Sequence, residues 1–173
     1  VQLQLQARAA QLDIPQVRAQ VRDLTGDFSY DHSSGLSSET IALQFLGQPV
    51  TARLDVNSSG AHHLRMSGSH SVSQLRSWPL LEKLPEKLVE GSAAWNAELL
   101  LGNDRRRLLV QSDLQGVQLN LPGELAKASD SRLPSRLQLD MGEPVRWQFQ
   151  LGEELRGLVS ERDGVFSGDI RYR

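Results

Sequence analysis

The chain has 173 residues, of which 39% are hydrophobic and 23% charged, the proportions of an ordinary folded protein of roughly one domain. Its formal charge is -2, with 16 Arg but only 3 Lys among the bases, which argues against a nucleic-acid binder, since those carry a basic footprint. There is no cysteine, so disulfides, thiolate metal sites and cysteine nucleophiles are excluded, and no apolar run reaches the ~20 residues that cross a bilayer as a helix.

The chain opens on an alternating run. Leu3, Leu5, Ala7 and Ala9 fall on one face, with Gln2, Gln4, Gln6 and Arg8 opposite. Ile41, Leu43 and Phe45 alternate with Thr40, Ala42 and Gln44. Val50, Ala52, Leu54 and Val56 alternate with Thr51, Arg53, Asp55 and Asn57. Trp95, Ala97, Leu99 and Leu101 share one face of the next apolar run. Leu137, Leu139 and Met141 follow the same rule, as do Val145, Trp147, Phe149 and Leu151. A strand points successive side chains to opposite faces, so each segment offers one apolar and one wet face. Turn signals punctuate the runs: Asp31 to Gly35, Gly47 to Pro49, Asn57 to Gly60, Gly102 to Asp104, Met141 to Pro144 and Asp163-Gly164. Short strands at such spacing predict an all-β meander of about a dozen strands. The chain also closes strand-like, at Ser167 to Arg173. Both ends read as mid-strand, and the expectation is an internal piece of a longer protein whose targeting segment lies elsewhere.

One stretch breaks the period. Between Ser73 and Glu90, Leu81, Leu84 and Leu88 sit at helical spacing, Ser73 can cap the start and Gly91 the end. Pro79 and Pro85 forbid one regular helix, so two short pieces or a kinked one are expected over about 73–90. Pro122 to Pro134 reads mostly as loop, with one possible helical turn at Gly123 to Lys127. No linker divides the chain. The simplest organisation is a single β-rich segment over 1–173 with one short helical insert.

Sites of chemistry are sparse. His62, His63 and His70 lie on or beside one strand, where His62 and His63 face opposite ways and His62 and His70 stand about 26 Å apart. Zinc needs three or four converging ligands, so a solvated strand is the plainer reading and no metal or other cofactor is expected. Asp31-His32-Ser33 holds the residue types of a triad, but consecutive residues cannot form the relay; a hairpin turn explains them. There is no Gly-x-Ser-x-Gly elbow or phosphate loop, and no enzyme is expected. Arg105-Arg106-Arg107 reads as a solvated hairpin.

The apolar faces carry more information. They fit an ordinary core, in which two layers bury each other. They also fit a long sheet curled into a trough whose apolar face holds lipid chains, because one helical segment is little cover for so many strands. Each CH2 taken from water would contribute ~0.8 kcal/mol. The lining candidates are Ile41, Leu43, Phe45, Val50, Leu54, Val56, Leu99, Leu101, Leu108, Val110, Leu137, Leu139, Val145, Trp147 and Phe149.

Several motifs carry a family resemblance. Leu24-Thr25-Gly26-Asp27-Phe28-Ser29-Tyr30-Asp31, then Gly35-Leu36-Ser37-Ser38 and Phe45-Leu46-Gly47-Gln48-Pro49-Val50, resemble the YhdP family of AsmA-like proteins. Gly91-Ser92-Ala93-Ala94-Trp95 is similar to its Gly-x-Ala-x-Trp strand opening. Gln111 to Pro122, read Gln-Ser-Asp-Leu-Gln-Gly-Val-Gln-Leu-Asn-Leu-Pro, with Leu125-Ala126-Lys127 after it, resembles its Ser-Asp-Leu-x-Gly strand and Leu-Pro segment. Gly123-Glu124 and Ala128 depart from the family's second Pro and its Leu-x-Lys-Pro. The resemblance runs from about Leu12 to Arg173.

It implies a periplasmic β-rich body anchored to the inner membrane of a Gram-negative bacterium, similar to TamB and to bridge-like lipid transfer proteins. Its members are thought to carry phospholipids between the inner and outer membranes along a hydrophobic groove. The resulting expectation is a mainly β fold: a curved antiparallel sheet, a taco-like groove, with one helical insert that gates or caps it. The expected partners are phospholipid acyl chains, and both membranes through parts of the parent protein absent here, with no nucleic acid. The alternatives are a structural β-domain of an envelope scaffold, or a closed soluble lipid or lipoprotein carrier.

Overall fold

The structure is a computed structural model and describes residues 2–14, 18–57, 60–79, 81–82, 87–102, 106–123, 126–162 and 164–172. Its strands in chain order are β1 (Gln2–Ile14), β2 (Ala19–Asp31), β3 (Gly35–Phe45), β4 (Gln48–Val56), β5 (His62–Ser71), β6 (Val89–Leu101), β7 (Arg106–Ser112), β8 (Val117–Leu119), β9 (Ser135–Asp140), β10 (Val145–Leu151), β11 (Leu155–Arg162) and β12 (Val165–Tyr172). Among the described residues a single short helix, α1 (Val72–Arg76), lies between β5 and β6.

All strands join one antiparallel sheet in the order β1-β2-β3-β4-β5-β6-β7-β9-β10-β11-β12, with β8 on the N-terminal end of β6. The sheet is open, and β12 does not return to β1. This is the mainly β, antiparallel fold expected from the alternation. The strands on either side of the insert pair directly, His62 with Leu101 through Ser71 with Ser92, so one sheet runs through the whole chain. Short turns make this possible. Asp31 Oδ1 accepts a hydrogen bond from the Ser33 amide at 2.8 Å, and Asn57 Oδ1 accepts from the Ala61 amide at 3.0 Å. Both are side-chain mimics of a backbone turn. The Ser33 hydrogen bonds hold the Asp31 carboxyl below its ordinary range.

Openness shows in the surface. The chain exposes 11707 Å², against roughly 8,400 Å² for a compact protein of its mass. Among the described residues, no large side chain is completely buried.

The insert differs from the expected 73–90 helix. Ser71, one position before α1, is the cap: its hydroxyl accepts from the Gln74 amide and the Gln74 side chain accepts from the Ser71 amide. The helix stops at Arg76, because Ser77 closes it and Pro79 supplies no amide donor. Val89 and Glu90, expected at the helix end, are strand. Gly91, expected to terminate the helix, is strand as well. Leu81 and Leu88 lie in turns, and Leu84 lies outside the described residues.

Two further expectations are corrected. Alternation in β1 breaks at Ala9, which has φ 51°, so Ala10 rather than Ala9 pairs onward, with Leu24. The Ser112 to Gly116 stretch, which the resemblance implies to be strand, is a break after Ser112. Leu114 and Gly116 both take positive φ, 51° and 95°, and separate β7 from β8, both paired to β6. At this break Gly116 crosses Gly91, and the Ser92 amide donates to the Gly116 carbonyl at 3.1 Å.

Candidate functional site

In antiparallel pairs, residues directly opposite share a face, so the register sorts the side chains. A central row starts at Ile41 and passes through Ala52, Met66, Ala97, Val110, Leu137 and Phe149 to Gly157. One step toward the hairpin turns, Leu54, Leu64, Leu99, Leu108, Leu139, Trp147 and Val159 form a second row. At the turns themselves Val56, His62, Leu101 and Arg106 pair in succession, and Val145 faces Glu161. One step the other way, Leu43, Val50, Gly68 and Trp95 align, and beyond them Phe45 faces Gln48. The register therefore places every sequence-predicted lining residue on the same face.

That face is only partly covered. Ile41, Val50, Ala52, Ala97 and Leu139 are buried by their neighbours, whereas Leu101 is 41% exposed and Phe166, facing Glu161, 65% exposed. Glycines keep the surface level where the largest rings lie. The Trp95 indole lies over Gly68 and the Phe149 ring over Gly157; a Cβ at either glycine would collide with the ring.

The end of this face away from the hairpin rim is covered by a ledge. Val72 of α1 and Val117 and Leu119 of β8 form a small core with Val89, Ala93, Leu114, Leu121, Leu133 and Leu151. Trp78 extends the ledge toward β3 by meeting Phe45 edge-on, with centroids 5.6 Å apart. His70, 2% exposed, locks this end. Its Nδ1 accepts from Trp95 Nε1 at 2.9 Å, so its Nε2 is the donor to the Phe45 carbonyl at 2.7 Å. The ring stacks on Trp95. Lys127 is also buried, and its ammonium donates to the Val117 and Ala128 carbonyls at 2.7 and 3.0 Å.

The opposite face is polar. His63 sits 3.2 Å from Glu98 and 3.8 Å from Asp55, while Arg65 pairs with Asp55 and Arg53 with Glu39. A shallow depression of about 460 Å³ lies there between Thr51, Arg65 and Asn96. His62 and His63 thus point to opposite sides, as strand geometry requires. Among the described residues, no three His, Cys, Asp or Glu converge as a metal site.

Asp140 closes this polar ladder. Partial burial works against its charge, but hydrogen bonds from Arg107 and Gln138 and the charges of Arg107 and Arg146 outweigh that and lower its pKa. A depressed carboxylate contributes stability that is present above its unfolded pKa and lost as pH falls through the folded value. Asp140→Asn is expected to cost about 0.5 kcal/mol at neutral pH, the size of an exposed ion pair. It should also flatten the loss of stability below about pH 4. Denaturant titrations at pH 7 and pH 3 check both.

Leu64, Met66, Leu36 and Val159 join the apolar face without having been singled out from sequence. Leu64 and Met66 alternate with Arg65, a signal masked by the neighbouring histidines. At Leu158-Val159, two adjacent apolar residues leave the facing side undecided by pattern alone. The profile of one protein family, described as YhdP protein, matches residues 1–171. No curated protein and no solved structure matches the chain.

Proposed function

The chain belongs to the YhdP family, AsmA-like proteins of the bacterial envelope, and from that premise we propose that it is one segment of a periplasmic bridge carrying phospholipids between inner and outer membranes. The observation that carries this reading is the continuous apolar face, in register from Ile41 on β3 to Phe149 on β10 and left partly open. Large open apolar surfaces mark ligand or interaction sites.

The mechanism is passive. Acyl chains on this face avoid water at ~0.8 kcal/mol per CH2. Neighbouring strands repeat the same aliphatic contacts, so a chain moving across the sheet exchanges one set for a similar one at little net cost. The polar head groups stay in water. No acid, base or nucleophile takes part. A closed carrier would need an enclosed cavity, and the open sheet does not favour it.

Photo-crosslinking in the full-length parent protein in cells tests the reading. Photoreactive residues replace Leu54, Leu101, Leu137 or Trp147 on the apolar face, and Arg53, Gln138 or Gln148 on the polar face. Phospholipid adducts confined to the first set are the expected result. Equal labelling of both sets, or none from folded protein, overturns the conduit for this segment and leaves a packed structural domain.

A further inference from the structure

The apolar face has two different long borders. Along one, side chains of α1, Trp78, β8 and Leu133 pack against it from Phe45 on β3 to Leu151 on β10. Along the other, the strands end in the hairpin turns after Asp31, Val56, Leu101, Asp140 and Arg162, where the face is exposed at Leu101 in mid-sheet. The side chains sharing the apolar face at this open border include His62, Arg106 and Glu161. A ligand with one polar end and one apolar end therefore meets water and charge on one side and a packed hydrocarbon wall on the other.

The distance between the borders is informative. On β6 the face runs from Trp95, beside the ledge, to Leu101 at the rim. At ~3.3 Å per residue those six steps span about 20 Å. The hydrocarbon of one bilayer leaflet is about 15 Å deep, half the ~30 Å core. The open band is deep enough for the acyl chains of a membrane phospholipid lying parallel to the strands, and the wall stands just beyond their methyl ends.

Resting on the conduit reading above, we propose that phospholipids lie on this sheet side by side, chains parallel to the strands, methyl ends against the α1–β8 ledge and head groups at the hairpin rim. Movement between membranes is then sideways, across the strands, with each lipid keeping its orientation. The ledge is a one-sided wall that sets this orientation. A lipid turned the other way would place its phosphate against buried Val72, Val117 and Leu119, where the nearby Lys127 ammonium is already held by the Val117 and Ala128 carbonyls, and burying a charge without a free partner is costly.

Two tryptophans report on this directly. Trp147 lies one row from the rim and Trp95 lies beside the ledge. Variants Trp78→Phe/Trp95→Phe and Trp78→Phe/Trp147→Phe leave one emitter each. The probes are phosphatidylglycerol brominated near the glycerol or near the methyl end of the chain. The proposal expects glycerol-proximal bromine to quench Trp147 more than Trp95, and methyl-proximal bromine to reverse that ratio. Trp95→Phe removes the hydrogen bond to His70, so a second measurement covers loss of folding. Photoreactive residues at Leu101 and Leu43 in the otherwise unchanged chain should give adducts on the glycerol-proximal and methyl-proximal carbons respectively. Ratios that do not change with bromine position, or that change in the opposite sense, overturn the orientation while leaving lipid binding intact. No quenching and no adduct with any probe overturns the conduit reading and the orientation with it.

Discussion

Gly116→Ala is expected to destabilise the chain by about 3 kcal/mol or more, among the larger effects of any single substitution. Gly116 has φ +95° and Gly91 φ +102°, and an added Cβ on either would fall inside the carbonyl oxygen of the other strand. Two penalties combine: a left-handed backbone that an L side chain resists by about 1–2 kcal/mol, and a clash with backbone that has no rotamer to escape into. Gly47 separates them. It has φ +77° with open space around it, so Gly47→Ala should show the backbone penalty alone, about 1 kcal/mol. Urea denaturation followed by tryptophan fluorescence measures both variants. Equal costs at Gly47 and Gly116 would show that the crossing of β6 and β8 is not tight. Because that crossing carries Val117 into the ledge, loss of Gly116 should also loosen the wall more than the distant hairpins.

His70→Ala should cost about 3 kcal/mol, since it takes the ring's hydrogen bonds from the half-buried Trp95 indole N–H and Phe45 carbonyl, at about 1–3 kcal/mol for each group left unsatisfied. His63→Ala, on the polar face with half-exposed Glu98 as its closest partner, should stay below about 1 kcal/mol. The pair is a sharp comparison, because both histidines stand on β5. Combining His70→Ala with Trp95→Phe should cost less than the sum of the two, since they remove the same hydrogen bond. Additive losses in that cycle would mean that the ring acts by packing alone.

The strands and the shared face were legible because one side of the sheet is polar. Arg53 between Ala52 and Leu54, or Gln148 between Trp147 and Phe149, marks a parity that the fold then keeps. What was hidden is whatever resets parity or depends on distant residues. The bulges at Ala9 and between Ser38 and Ile41 carry no Gly or Pro signal, so β1 was read one residue out of step. The helical spacing of Leu81, Leu84 and Leu88 was real as a pattern, but Pro79 and the return of strand pairing at Val89 outweigh it. The ledge was hidden entirely: Val72, Val117 and Leu119 come from segments far apart in sequence, and the pairing of β8 with the N-terminal end of β6 brings them together. His70 read as one member of a solvated trio, because nothing local says that Trp95 will reach its ring.

The meander order itself has a further consequence. Apart from the step from β7 to β9, each strand on the path pairs with its predecessor in sequence. Most loop closures are therefore short, which is unusual for an all-β chain and favours rapid, local zippering during synthesis. The sheet also acts as a ruler. The ten steps from β1 to β12 along the pairing path give a contour of about 48 Å at ~4.8 Å per step. A duplicated or deleted hairpin would change that length by about 10 Å without altering any other pairing, so reach can be adjusted in units of two strands, much as a solenoid gains or loses a repeat.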